Sequence, residues 1–95
     1  MIALTAKMTA KEGREADLER VLGALAEKVR ANEPGCELYQ LSRSKSDPRS
    51  YLVMERYADD SALAHHSNTD YFKAAIPEMM DCLEVPPEIA LFDEL

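Results

Sequence analysis

Glu33–Phe72 reads EPGCELYQLSRSKSDPRSYLVMERYADDSALAHHSNTDYF. Two runs in it have the two-residue period of strands, Cys36–Ser44 and Ser50–Ala58, and a polar connector, Lys45–Arg49 with Asp47-Pro48, joins them as a hairpin. In the second run Tyr51, Val53, Glu55 and Tyr57 share one face, opposite Leu52, Met54, Arg56 and Ala58. In the first run Cys36, Leu38, Gln40 and Ser42 oppose Glu37, Tyr39, Leu41 and Arg43. Neither run has a purely polar face, so both faces of the hairpin are expected to be covered. A carboxylate between Val53 and Tyr57 on a covered face needs a partner. Asp59 or Asp60 then caps a short helix that ends near His65-His66.

The flanks complete the pattern. Ile2–Ala10 alternates, with Ile2, Leu4, Ala6 and Met8 on one face, and predicts a strand. Arg14–Asn32 repeats Leu18, Leu22, Leu25 and Val29 at helical spacing, widened by Val21 and Ala26, and predicts a long amphipathic helix. Gly23 weakens that helix by roughly 1 kcal/mol relative to Ala and is expected to permit close packing on a sheet. The helix stops before Pro34, because the residue preceding a proline is driven out of the α region. Gly35 is free to take a positive φ at the turn that follows. After Ser67-Asn68, Asp70–Met80 is helical again, with Pro77 marking a bend or a new turn, and Pro86-Pro87 leads into a last strand, Glu88–Leu95.

The order β-α-β-β-α-β is that of an α+β, ferredoxin-like fold: one four-stranded antiparallel sheet with helices on one face. The other face keeps apolar residues that one protomer leaves bare, so a homodimer packed sheet to sheet is expected, with the last strand near the partner.

Ninety-five residues make one domain with a thin core. Eleven basic against eighteen acidic residues give a net charge of -7, which disfavours nucleic acid as a partner. Two cysteines far apart, Cys36 and Cys82, form neither a disulfide framework nor a metal site and read as reduced thiols. No basic leader precedes an apolar block and no run reaches membrane-spanning length, so a cytoplasmic location without membrane attachment is expected. There is no Gly-rich phosphate loop, no GxSxG and no metal-ligand spacing. No cofactor is therefore expected.

Among residues that could carry chemistry, His66 comes first, since an imidazole suits proton transfer at neutral pH; the plainer alternative is a helix-end histidine beside C-terminal carbonyls. His65 points elsewhere and reads as solvated. Glu55 shares its face with Tyr57. It either orients His66 or polarises a substrate hydroxyl, or it makes a strand salt bridge to Arg43 or Arg56. Tyr39, Tyr57, Tyr71, Phe72 and Asn68 are candidates for binding a flat aromatic substrate, alongside Met54, Met79 and Met80. Core packing accounts equally well for Tyr39 and Tyr71, and is the preferred reading for Phe72 and the methionines.

Pro34-Gly35-Cys36 before a Tyr39-containing strand, Glu55-x-Tyr57, Ala62-Leu63-x-x-His66 and Thr69-x-Tyr71-Phe72-Lys73 occur in series. Together they resemble the antibiotic biosynthesis monooxygenase (ABM) domains, which include quinol monooxygenases. That resemblance implies a dimeric α+β barrel with one pocket per protomer between sheet and helices. It also implies cofactor-independent oxygenation of a small phenol or quinol, with His66 as base. The family often has Trp where this chain has Tyr57, and often a second histidine where it has Tyr71. Haem-degrading relatives of the fold use an Asn, a Trp and a His; this chain has no Trp, Thr5 or Ala6 near the first position and Ile76 near the last, so haem degradation is rejected. Two alternatives stay open. One is an isomerase of a small phosphorylated carbonyl compound, of the autoinducer-processing type, with Lys73, Arg43 or Arg56 supplying the cations. The other is a non-enzymatic dimer that binds a small ligand.

Overall fold

The alternating runs pair into one antiparallel sheet in the computed structural model, which describes residues 1–95. Its strands are β1 (Ile2–Thr9), β2 (Cys36–Arg43), β3 (Ser50–Tyr57) and β4 (Glu88–Asp93), in the order β2-β3-β1-β4. The helices are α1 (Glu15–Asn32), α2 (Asp60–Ser67) and α3 (Asp70–Cys82). This is the expected ferredoxin-like α+β arrangement, with element ends within two residues of the sequence reading.

The register decides which side chains meet. Glu55 lies opposite Leu4 of β1 and Tyr39 of β2, so the Tyr51, Val53, Glu55, Tyr57 face of β3 continues into Ala6 and Met8. That face is buried under the helices, and α1 contributes Leu18, Val21, Leu22, Leu25, Ala26 and Val29 to it. The opposite face is bare: Leu38, Met54 and Phe92 are exposed. In β4, the helix-side Ile89 and Leu91 are exposed as well, at 61% and 59%, because α2 and α3 do not extend over this edge strand.

Three local readings change. Gly35 has no positive φ, which only Gly13 adopts; a Cβ on Gly35 would stand 2.7 Å from Ala62 Cβ, so this glycine exists to let α2 approach the chain. Gly23 has nothing within 4 Å of where its Cβ would be, and therefore serves no close packing. Pro77 lies inside α3, which runs on to Cys82 at the expense of one backbone hydrogen bond. The thiols of Cys36 and Cys82 are free. No helix is long and apolar enough to cross a membrane.

Candidate active site

Three ionisable side chains lie deep between sheet and helices: His66 at 3% exposure, Glu33 at 4% and Glu55 at 6%. Each is placed by a local device. Asp59 caps α2 by accepting from the Ala62 backbone N–H at 2.8 Å. That fixes the short helix whose one buried residue is His66. Thr69 joins α2 to α3 by donating to the His66 carbonyl at 2.9 Å while accepting from Phe72 N–H. Glu33 is the residue after α1, with φ -120° and ψ 86°; Pro34 forces it out of the helix, and its carboxylate is turned inward.

The Glu33 carboxylate meets His66 Nδ1 at 3.1 Å through both oxygens and also accepts from the Tyr71 hydroxyl. A carboxylate only accepts, so Nδ1 carries the ring proton and the lone pair belongs to Nε2. Nε2 makes no hydrogen bond within the protein. Phe72, Tyr39 and Tyr57 surround the ring, with centroids at 4.6, 5.5 and 5.5 Å. Glu55 accepts from the Tyr57 hydroxyl through Oε1 at 2.5 Å. Burial pushes the Glu55 carboxyl up to about 7, reinforced by the nearby Glu33 and opposed by the Tyr57 hydrogen bond. The Tyr39 and Tyr57 phenols are held well above their ordinary range, first by burial and then by Glu55. Burial and the bond to Glu33 push Tyr71 up to about 12.

His66 and Glu55 line one cavity of about 220 Å³, with Tyr39, Phe72, Met79 and the sheet residues Leu4, Ala6 and Met8. Ten of its fourteen lining residues are apolar, and none is Lys or Arg, so it suits a small uncharged ligand. It is below the roughly 300–1,000 Å³ usual for ligand pockets. A larger depression of about 880 Å³, beside Arg43, Ser44 and Lys45, is a polar groove without a histidine, whose Glu19 is already taken up by Arg43 and Tyr51; the apolar cavity with His66 and Glu55 is the better place for chemistry. No three His, Cys, Asp or Glu side chains are grouped closely enough to hold a metal ion.

Of the residues singled out from the sequence, His66, Glu55, Tyr39 and Phe72 line the cavity. Tyr57 stands behind it, holding Glu55. Tyr71 is displaced from a substrate-binding place to the back of the site, where it holds Glu33. Asn68 is corrected outright: it is the exposed C-cap of α2, its amide donating to the Ala64 carbonyl, and it does not reach the cavity. His66 is buried rather than placed at a helix end facing solvent, while His65 is exposed. Arg43 and Arg56 do not pair with Glu55; they are taken up by Glu19 and Glu94. Glu33 was missed. The signal for it was an acidic residue directly before Pro34 at a helix end, a position that leaves the helix and can turn inward.

Comparison with known proteins gives a consistent result. A sequence model of the family described as antibiotic biosynthesis monooxygenase matches residues 1–78. The crystal structure of a Caulobacter crescentus CB15 protein, proposed to be an antibiotic biosynthesis monooxygenase, is 44% identical with a TM-score of 0.95, covering 99% of this chain and 89% of that one. A Pseudomonas aeruginosa structure is 32% identical with a TM-score of 0.90, covering 99% and 93%. An uncharacterized protein of Synechocystis sp. is 31% identical over 61 residues, 64% of this chain. The matched stretch spans only 42% of that cyanobacterial protein's length.

Proposed function

This chain belongs to the antibiotic biosynthesis monooxygenase family, and from that premise we propose that it is a cofactor-independent monooxygenase of a small, electron-rich aromatic substrate such as a quinol. One observation carries the reading: a buried histidine whose Nδ1 is tied to a carboxylate, with its free nitrogen on a small apolar cavity. The tie to Glu33 fixes the tautomer and stabilises the imidazolium that forms when Nε2 takes a proton. A deprotonated quinol can itself pass electrons to dioxygen, so the protein's part is to remove the proton, orient the ring and exclude water. Tyr39 and Phe72 supply flat walls for such a ring.

The phosphorylated-carbonyl isomerase is not favoured. It needs cations at the phosphate, and no Lys or Arg lines the cavity. Arg43 and Arg56 are held by acidic partners elsewhere. The test is oxygen uptake by the purified protein with a panel of quinols and naphthols, set against His66→Gln. The glutamine amide can still donate to Glu33, so the fold is kept while the base is lost. A fall of about 10²–10⁴-fold in rate is expected; parental turnover by His66→Gln would overturn the role of His66.

A further inference from the structure

The cavity is faced by two acid–base groups, not one, and they are built alike. His66 has its rear nitrogen held by Glu33 and its front nitrogen without a protein partner. Glu55 has Oε1 held by the Tyr57 hydroxyl and Oε2 without a protein partner, on the same cavity. No buried side-chain nitrogen or oxygen lacks a hydrogen bond, so these two front atoms are reachable from the cavity. Two carboxyl or imidazole groups poised on one apolar cavity can hold a base and an acid at once.

We propose that Glu55 is the second catalytic residue, the acid that protonates the oxygen-derived intermediate, and that Tyr57 is the residue that positions it. The proposal rests on the monooxygenase reading given above. The first half of the reaction uses His66, which takes the phenolic proton. The resulting anion gives dioxygen two electrons in succession, a bond forms between a ring carbon and one oxygen, and a peroxide anion results. Glu55 then transfers its proton to the distal oxygen. In the last step the ring carbon's own proton passes to the Glu55 carboxylate, the O–O bond breaks and a carbonyl forms. The distal oxygen leaves as water with the proton held by His66. The substrate loses two hydrogens and gains one oxygen, dioxygen supplies that oxygen and the oxygen of the water, and both side chains return to their starting states.

The surroundings fit an acid held neutral. Glu55 faces Tyr57 on its own strand, Tyr39 and the Cys36 thiol on β2, His66 on α2 and Glu33 at the end of α1; β1 and α3 present only apolar side chains to the cavity. With His66 neutral at the start of the cycle, no cation is among these groups, and the only carboxylate besides Glu55 opposes its ionisation. The carboxyl, raised to about 7 by burial, keeps its proton below that pH and can give it up or take it back near neutrality.

The experiment compares the parent protein, Glu55→Gln and Tyr57→Phe for oxygen uptake, peroxide release and ligand affinity across pH 5–9, with a quinol as probe. In Glu55→Gln the new amide still accepts from Tyr57 but has no acidic proton to give. This variant should bind the quinol within about threefold of the parent and lose roughly 10²-fold or more in kcat. The alkaline limb near pH 7 should vanish, and consumed oxygen should escape as peroxide. Tyr57→Phe removes the bond that lowers the Glu55 pKa, so its alkaline limb should move to higher pH, which a purely structural role would not cause. A parental kcat with the alkaline limb intact in Glu55→Gln would overturn the role of Glu55 while leaving the monooxygenase reading standing. An unmoved limb in Tyr57→Phe would count against the positioning role in the same way. Absence of oxygen uptake by the parent would overturn both.

Discussion

Glu55 links the site to the stability of the fold. Its carboxyl is raised from 4.5 to about 7 by burial, so between those values the folded protein holds a proton that the unfolded chain releases. Stability must then fall as pH rises through that window and level off above about 7. The full effect is on the order of 3 kcal/mol. Glu55→Gln removes it, so the variant should melt higher than the parent at pH 8 and close to it at pH 4.5. A melting difference that is the same at both pH values would contradict the assignment. Glu33 has two partners in the fold, His66 and Tyr71. His66→Ala strips one of them from a buried carboxylate and should cost roughly 1–3 kcal/mol. His66→Gln should recover part of that without recovering turnover, and thermal melts of the two variants distinguish these effects.

At the scale of elements, two of the three glycines make opposite predictions. Gly35→Ala drives a methyl into Ala62 at 2.7 Å. Neither atom can swing away, so α2 must shift, and the protein should lose roughly 1–3 kcal/mol together with the alignment of His66. Gly23→Ala, on a half-buried stretch of α1 with open space beside it, should gain up to about 1 kcal/mol. Urea denaturation of both variants checks this. If Gly23→Ala destabilises, then α1 is packed more tightly than described. These two residues also show what the sequence could reveal. Periodicity placed the elements and the buried stripe of α1, because a helix face or strand face is written in residues two, three or four apart. It could not tell a glycine needed for close approach from one needed for a turn, since that depends on Ala62, which is 27 positions away from Gly35. Glu55 was legible as a carboxylate on a strand face expected to be covered, and His66 as an imidazole suited to proton transfer, but not its burial. Glu33 was not, because its role comes from a contact with His66 across 33 positions. Tyr71 and Asn68 lie close to His66 in the chain, but helix geometry sends one behind the site and the other to solvent.

On the scale of the whole molecule, helices cover one face of the sheet and leave Leu38, Met54 and Phe92 bare on the other. We propose that a second copy covers this face, sheet to sheet. The exposed apolar residues of β4 would lie near the interface. Light scattering should give about twice the mass of the 10.6 kDa chain at micromolar concentration, and Met54→Lys with Phe92→Lys should shift it toward the monomer. A parent protein that is already monomeric would refute the arrangement. The central claim, that the His66–Glu33 pair drives oxygen insertion by substrate and dioxygen alone, is tested most directly with labelled oxygen. Metal-stripped, flavin-free protein is given a quinol under ¹⁸O₂, and the product is weighed by mass spectrometry. One ¹⁸O atom per product molecule, lost together with turnover in His66→Gln, is the predicted result; an unlabelled product with all consumed oxygen recovered as peroxide would contradict it.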